Sequence, residues 1–213
     1  MGKNRFLFDN KDVLTLRTRT LGPCVLERKF VRLEPLRPQH LDSLAKAAAQ
    51  VDWSIMLYPL LSREDVDERI KSGMEKEKID EEYPFAVFLK EKDQLIGSTS
   101  YLTVSSRHKR AEIGSTWYIP EYQGAFVNPE CKLLLLQHAF EDWHAVRIQL
   151  GTDMNNIRSQ RAILKLGAKF EGRLRNYGIR PGGTPRDTML YSIISSEWPE
   201  VKSGLVSRLS AYE

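Results

Sequence analysis

Gln123-Gly124-Ala125-Phe126-Val127-Asn128-Pro129 leads into Glu130-Cys131-Lys132 and the run Leu133–Leu136. Asn128 reads as a helix cap, and Pro129 suits a first helical position because its missing N–H has no partner there. Leu133, Leu136, Phe140 and Trp143 follow at helical spacing. The residues before this segment, Glu112–Ile119, alternate as a strand, and those after it, Val146, Ile148 and Leu150, do the same. A strand, a short loop and a helix start leave backbone N–H groups unpaired, and the helix dipole adds roughly half a positive charge. Such a junction suits a phosphate or diphosphate, although most junctions of this kind bind nothing.

Working outward, Val25–Leu33 reads as a strand, and Arg37–Pro38 starts a helix through Ala47–Ala49. A second helix begins at Ser62, where Asp65 three residues on completes an acidic capping box. Phe85–Leu89 and Leu95–Val104 are strands about the Lys92–Asp93 turn. Asn156–Leu166 is a short helix ended by Gly167. Phe170–Arg175 and Thr188–Ile194 form a hairpin about Pro181–Gly182–Gly183, and Trp198–Leu209 is a terminal helix. Three adjacent strands predict an antiparallel meander, and the strand–helix alternation after them a parallel crossover. The fold class is therefore α/β (α+β): a mixed sheet with helices on both faces, which binds ligands where parallel strands diverge. Residues 1–24 read as an amino-terminal extension with a weak strand at Val13–Thr18, and 25–213 as a single domain.

The chain has 213 residues, 41% hydrophobic and 28% charged, within the range of ordinary globular proteins. Its densest apolar stretch is far shorter than the ~20 residues of a membrane span. Phe6–Leu7–Phe8 is followed closely by Lys11 and Asp12, which gives no signal-peptide core, and Phe6 stands where a myristoylation motif has Ser or Thr. With two widely spaced cysteines, Cys24 and Cys131, no disulfide framework or metal site is expected, and the cytoplasm is the expected location. The net charge of +4 is spread along the chain without a basic stripe, which argues against a nucleic-acid partner. His40, His108, His138 and His144 lack metal-ligand spacing. The acidic run Glu75–Glu82 either meets a cationic acceptor or is a solvated helix end.

Glu112-Ile113-Gly114-Ser115-Thr116-Trp117, then Tyr122–Asn128, then Asp153–Gly167 resemble successive motifs of the GNAT superfamily of acetyl-CoA-dependent N-acetyltransferases, most of all the Rim-type branch that acetylates ribosomal-protein amino termini. The resemblance runs from about Phe30 to Val201. It implies a centrally splayed sheet of about seven strands, acetyl-CoA as co-substrate, no metal, and direct acyl transfer to an amine of unknown identity. A monomer or a homodimer is compatible with it.

The resemblance also implies roles. The family's diphosphate loop has the pattern Gln/Arg-x-x-Gly-x-Gly/Ala. Gln123 matches it, with Gly124, Ala125 and Val127 between, but Phe126 and Asn128 occupy the two small-residue positions. Pro129 removes one more N–H, and Glu130 would set a negative charge beside the phosphate. The backbone of Trp117, Tyr118 and Ile119 pairs with pantetheine, and one N–H polarises the thioester carbonyl. Ser159 protonates the leaving thiolate; read from its stripe with Ala162, Ile163 and Leu166 alone, it is either that or a space-filler. Asn156 is a helix cap, a hydrogen-bond partner of the pantetheine arm, or both. Glu112, which plain alternation sets on the same side as Thr116 and Tyr118, is either a general base or a structural partner of Arg110 or Arg147. The alternative overall is a binding or regulatory module of the same fold, its coenzyme A loop degenerate.

Overall fold

The fold is described from a computed structural model, for residues 20–54 and 56–212. The strand expected at Val13–Thr18 lies outside them. Among the described residues, eight strands form one sheet: β1 (Leu26–Glu27), β2 (Val31–Pro35), β3 (Tyr83–Leu89), β4 (Gln94–Ser105), β5 (Arg110–Tyr118), β6 (Arg147–Asp153), β7 (Lys169–Ile179) and β8 (Pro185–Ile194), in the order β1-β2-β3-β4-β5-β6-β8-β7. The helices are α1 (Leu41–Ala48), α2 (Arg63–Lys78), α3 (Val127–Gln137), α4 (Ile157–Leu164) and α5 (Trp198–Ser210).

The expected Val25–Leu33 strand is a hairpin instead. The chain turns at 28–30, and Glu27 faces Arg32 across it. The caps at Ser62 and Asn156 operate as read. Ser62 accepts the Asp65 N–H at 3.0 Å while Asp65 takes the Ser62 N–H at 2.8 Å. Asn156 accepts the Ser159 N–H at 2.9 Å, while α4 ends at Leu164, before the expected Leu166, and Gly167 lies in the turn beyond it at a φ of +94°.

All sheet pairings are antiparallel except β5–β6, joined through α3. Helices α1 and α2 pack on one face; α3 and α5 pack together, with α3 also against β1 and β2. The core lies on both sides, with Tyr101, Phe85, Ile96, Leu133, Leu135 and Trp143 fully buried. Burying a leucine contributes about 1.5–3 kcal/mol, so the Leu133–Leu136 run fixes α3 against the sheet. Leu21 is also fully buried, and its carbonyl lies 3.2 Å from His138 Nε2, beyond the end of α3.

Two features shape the centre of the sheet. The parallel register runs from Arg110↔Arg147 to Glu112↔Gln149 and stops, so beyond Glu112 the two strands part. On its other edge, β5 pairs Gly114 with Ser100 and Trp117 with Ser98, two residues against one, which is a bulge. Ser115 sits in it at a φ of +47°, a left-handed conformation that costs a non-glycine residue roughly 1–3 kcal/mol.

Candidate active site in the strand splay

The bulge overturns the alternation expected for Glu112. A Cβ placed on Gly114 would meet Glu112 Oε1 at 3.2 Å, so those residues share a face. After the extra residue at Ser115, Thr116 and Tyr118 face α3 instead: Thr116 Oγ1 accepts from Lys132 Nζ at 2.9 Å, and Tyr118 Oη donates to Asn128 Oδ1 at 3.4 Å. Trp117, which plain alternation sets opposite Glu112, is brought onto the Glu112 face, its ring centroid 5.2 Å from that of Trp53. Glu112 accepts from Gln149 Nε2 at 2.8 Å. Arg147, weighed above as its partner, is engaged by Glu171 at 2.5 Å.

Between the parted strands opens a cleft of about 1090 Å³. Glu112, Trp117, Tyr118, Gln123, Gly124, Ala125, Asn128, Asn156 and Ser159 line it; Ile119, Phe126 and Val127 do not. The Ile119 N–H is taken by Ile96 O at 2.9 Å. Val127 is fully buried in the core.

The loop before α3 is an amide cradle. Among the described residues, the N–H groups of Gly124, Ala125, Phe126, Val127 and Asn128 have no acceptor within the protein. Gly124 holds a φ of +81°, and nothing lies within 4 Å of the position a Cβ would take there. The helix starts two residues earlier than the sequence signals. Phe126 is the cap residue, with no side-chain cap bond; Asn128 is second and Pro129 third in the helix. The missing proline N–H still falls within the first turn, where no intrahelical partner exists.

Two departures from the family pattern take a different form here. The Phe126 ring turns away from the cradle and packs 4.6 Å from the Phe30 ring and 5.8 Å from that of Tyr212. Glu130 places no charge in the cradle: its carboxylate is fully buried and accepts the N–H groups of Lys29, Phe30 and Val31 at 3.1, 2.9 and 2.9 Å, with Arg28 at 3.5 Å. It ties the β1–β2 turn to the start of α3.

Gln123 bridges the site. Its Nε2 donates to Tyr118 O at 2.8 Å, and its Oε1 accepts from Arg158 Nη1 at 2.6 Å, linking the end of β5 to the first turn of α4. Ser159, Ala162, Ile163 and Leu166 all face the cleft. Farther along, the buried Asp153 takes Arg180 at 2.8 Å and Arg186 at 3.4 Å. Burial lowers the Arg186 pKa and raises that of Tyr118, and it pushes Cys131 up to about 12.

Sequence reasoning missed Arg158 and Lys132. Nothing marks Arg158 among the other arginines. Lys132 carries a signal, as the one charged residue between Cys131 and Leu136 in an apolar helix. It is 5% exposed, and burial pushes its pKa down to about 8.

The family model "Acetyltransferase (GNAT) domain" matches residues 31–169. The chain belongs to the GNAT acetyltransferase family. Over 101 residues this GNAT domain is 35% identical to the uncharacterised N-acetyltransferase YoaA of Bacillus subtilis (strain 168), covering 47% of this chain. The match spans 56% of the length of YoaA. A GCN5-related N-acetyltransferase from Brucella melitensis superposes with a TM-score of 0.80 at 26% identity, over 87% of this chain and 85% of that one. Mycobacterium smegmatis RimJ, in complex with CoA-disulfide, shares the fold of this GNAT domain with a TM-score of 0.74 at 19% identity, over 88% of this chain and 95% of its own. Among the described residues, no helix is long and apolar enough to cross a membrane, and no His, Cys, Asp and Glu side chains gather as a metal site.

Proposed function

We propose that this GNAT domain is an acetyl-CoA-dependent N-acetyltransferase that moves an acetyl group to a primary amine, the amine of a protein N-terminus or of a small molecule. The observation that carries the reading is the open cradle: five unsatisfied N–H groups around Gly124, with the Phe126 ring packed elsewhere. A diphosphate fits there, because unpaired amides gather at the positive end of α3 and nothing crowds the position a Cβ would take at Gly124. Arg158, held by Gln123, adds a cation at the same mouth. The protein in the solved RimJ structure carries CoA-disulfide, which supports a coenzyme A ligand for this fold.

Acetyl-CoA, when bound, supplies the activated acyl group. The rest is the work of this chain. Beyond Glu112 the free edge of β5 offers main-chain groups to the arm of the co-substrate. Glu112, fixed by Gln149, takes a proton from the ammonium of the acceptor, directly or through a water. On attack the amine nitrogen would bond to the acyl carbon as the C–S bond breaks; the nitrogen's remaining extra proton passes to the Ser159 oxygen while the Ser159 hydroxyl gives its own to the departing sulfur, so the serine ends as it began. Holding both reactants in one cleft supplies much of the acceleration. The free thiols Cys24 and Cys131 are in keeping with a reducing cytoplasm.

The test is a panel of amines, spanning peptide amino termini, polyamines and amino sugars, incubated with the protein and acetyl-CoA while free thiol is followed. Thiol release that depends on one class of amine is expected. No release above background with any amine would refute transfer.

A further inference from the structure

Lys132 lies one helical turn inside the cradle, on the side of α3 that faces β5. Its ammonium is buried, and the bond to Thr116 Oγ1 is its single hydrogen bond among the described residues. Thr116 in turn bonds Thr99 Oγ1 at 2.7 Å. No carboxylate among the described residues comes within ion-pair reach of Nζ; the titrating group that acts on it is the thiol of Cys131, which Tyr118 also meets, and Arg208 of α5 lines the same cleft. A buried ammonium without a counter-charge costs several kcal/mol. It also has three donors, of which one is used. The core does not require this charge, since a methionine would fill the same volume. Lys132 is among the residues that line the cleft, and among the described residues no second acceptor meets its ammonium, which leaves two donors for a ligand.

We propose that the Lys132 ammonium is the side-chain donor that receives a carbonyl oxygen of the acyl-pantetheine arm in the splay. This rests on the acetyl-CoA reading and adds to it a residue outside the diphosphate loop. The chemistry fits: the arm carries amide and thioester carbonyls and no charge, so a cation is satisfied there without competition from the phosphates. The ammonium bears on binding and on the charge that gathers at oxygen during transfer, and it moves no proton itself.

The test compares wild type with Lys132→Met by isothermal titration with two probes, acetyl-CoA and its arm-less nucleotide half, phosphoadenosine diphosphate, together with thermal melting. Loss of a hydrogen bond to a charged group predicts about ten- to hundred-fold weaker acetyl-CoA binding. The nucleotide half should bind within threefold of wild type, and the variant should melt no lower. Equal loss for both probes, or no loss for either, overturns the proposal. A variant that fails to fold overturns it as well, because the ammonium would then be a structural requirement. If wild type binds neither probe, the acetyl-CoA reading falls first, and that result is distinct from the others.

Discussion

Gln149 Nε2 donates to Glu112 Oε2 across 2.8 Å, at the last rung where β5 and β6 still pair. The bond holds the carboxylate at the apex of the splay, with Oε1 directed over Gly151, where an added Cβ would lie 3.5 Å away. If Glu112 is the base, Glu112→Gln lowers turnover about 10²–10⁴-fold while acetyl-CoA affinity stays within threefold. Turnover with the best amine of the acceptor panel, beside a titration, checks this. Full turnover in the variant would make the pair a strap between strands.

Glu130→Ala leaves three backbone N–H groups and Arg28 without their buried acceptor. Breaking such a cluster costs about 3–5 kcal/mol. Urea unfolding should show that loss at an unchanged slope. A loss under 1 kcal/mol would mean that the β1–β2 turn does not depend on this carboxylate.

Phe126 stands in a loop the family keeps small, yet its ring belongs to the Phe30–Tyr212 cluster. Phe126→Ala should therefore destabilise by about 2 kcal/mol, below the fully buried range because the ring is only partly buried. Acetyl-CoA affinity measured at a temperature where both proteins are folded should change less than threefold. A tenfold gain would mean that the ring obstructs the cradle.

Lys132 also sets a pH dependence. Its pKa falls from the ordinary 10.5 to about 8 on folding, so between those values the unfolded chain binds more protons than the folded one. Stability from this group is lost below pH 8 and recovered as pH rises through the window toward 10.5. Lys132→Met removes the handicap. Its advantage over wild type should be up to about 3 kcal/mol at neutral pH and shrink in alkali, by paired urea unfolding across that range. A constant difference would mean that the lysine titrates alike in both states.

Much of this was legible in the residues. The cap at Asn156 and the box at Ser62–Asp65 follow from side-chain chemistry within three residues, and local rules reach that far. The strand order around the crossover follows from the alternation of elements. What sequence periodicity missed depends on distant parts of the chain. One extra residue at Ser115 reverses which face Thr116 and Tyr118 occupy, and nothing in Glu112–Ile119 announces it. Glu130 reads as a loop-side charge until the turn at 28–30 arrives to bury it. Asn128 reads as a cap, but Pro129 is tolerated throughout the first turn, so the helix is free to begin at Val127.

The central claim is that the amides from Gly124 to Asn128 cradle the diphosphate of acetyl-CoA, and calorimetric titration of the wild-type protein tests it most directly. The account predicts one site per chain, saturating in the micromolar range, with the arm-less nucleotide half competing for it. Absence of heat up to high micromolar acetyl-CoA, under conditions where the protein is folded, would contradict it and leave a GNAT fold that serves as a binding or regulatory module.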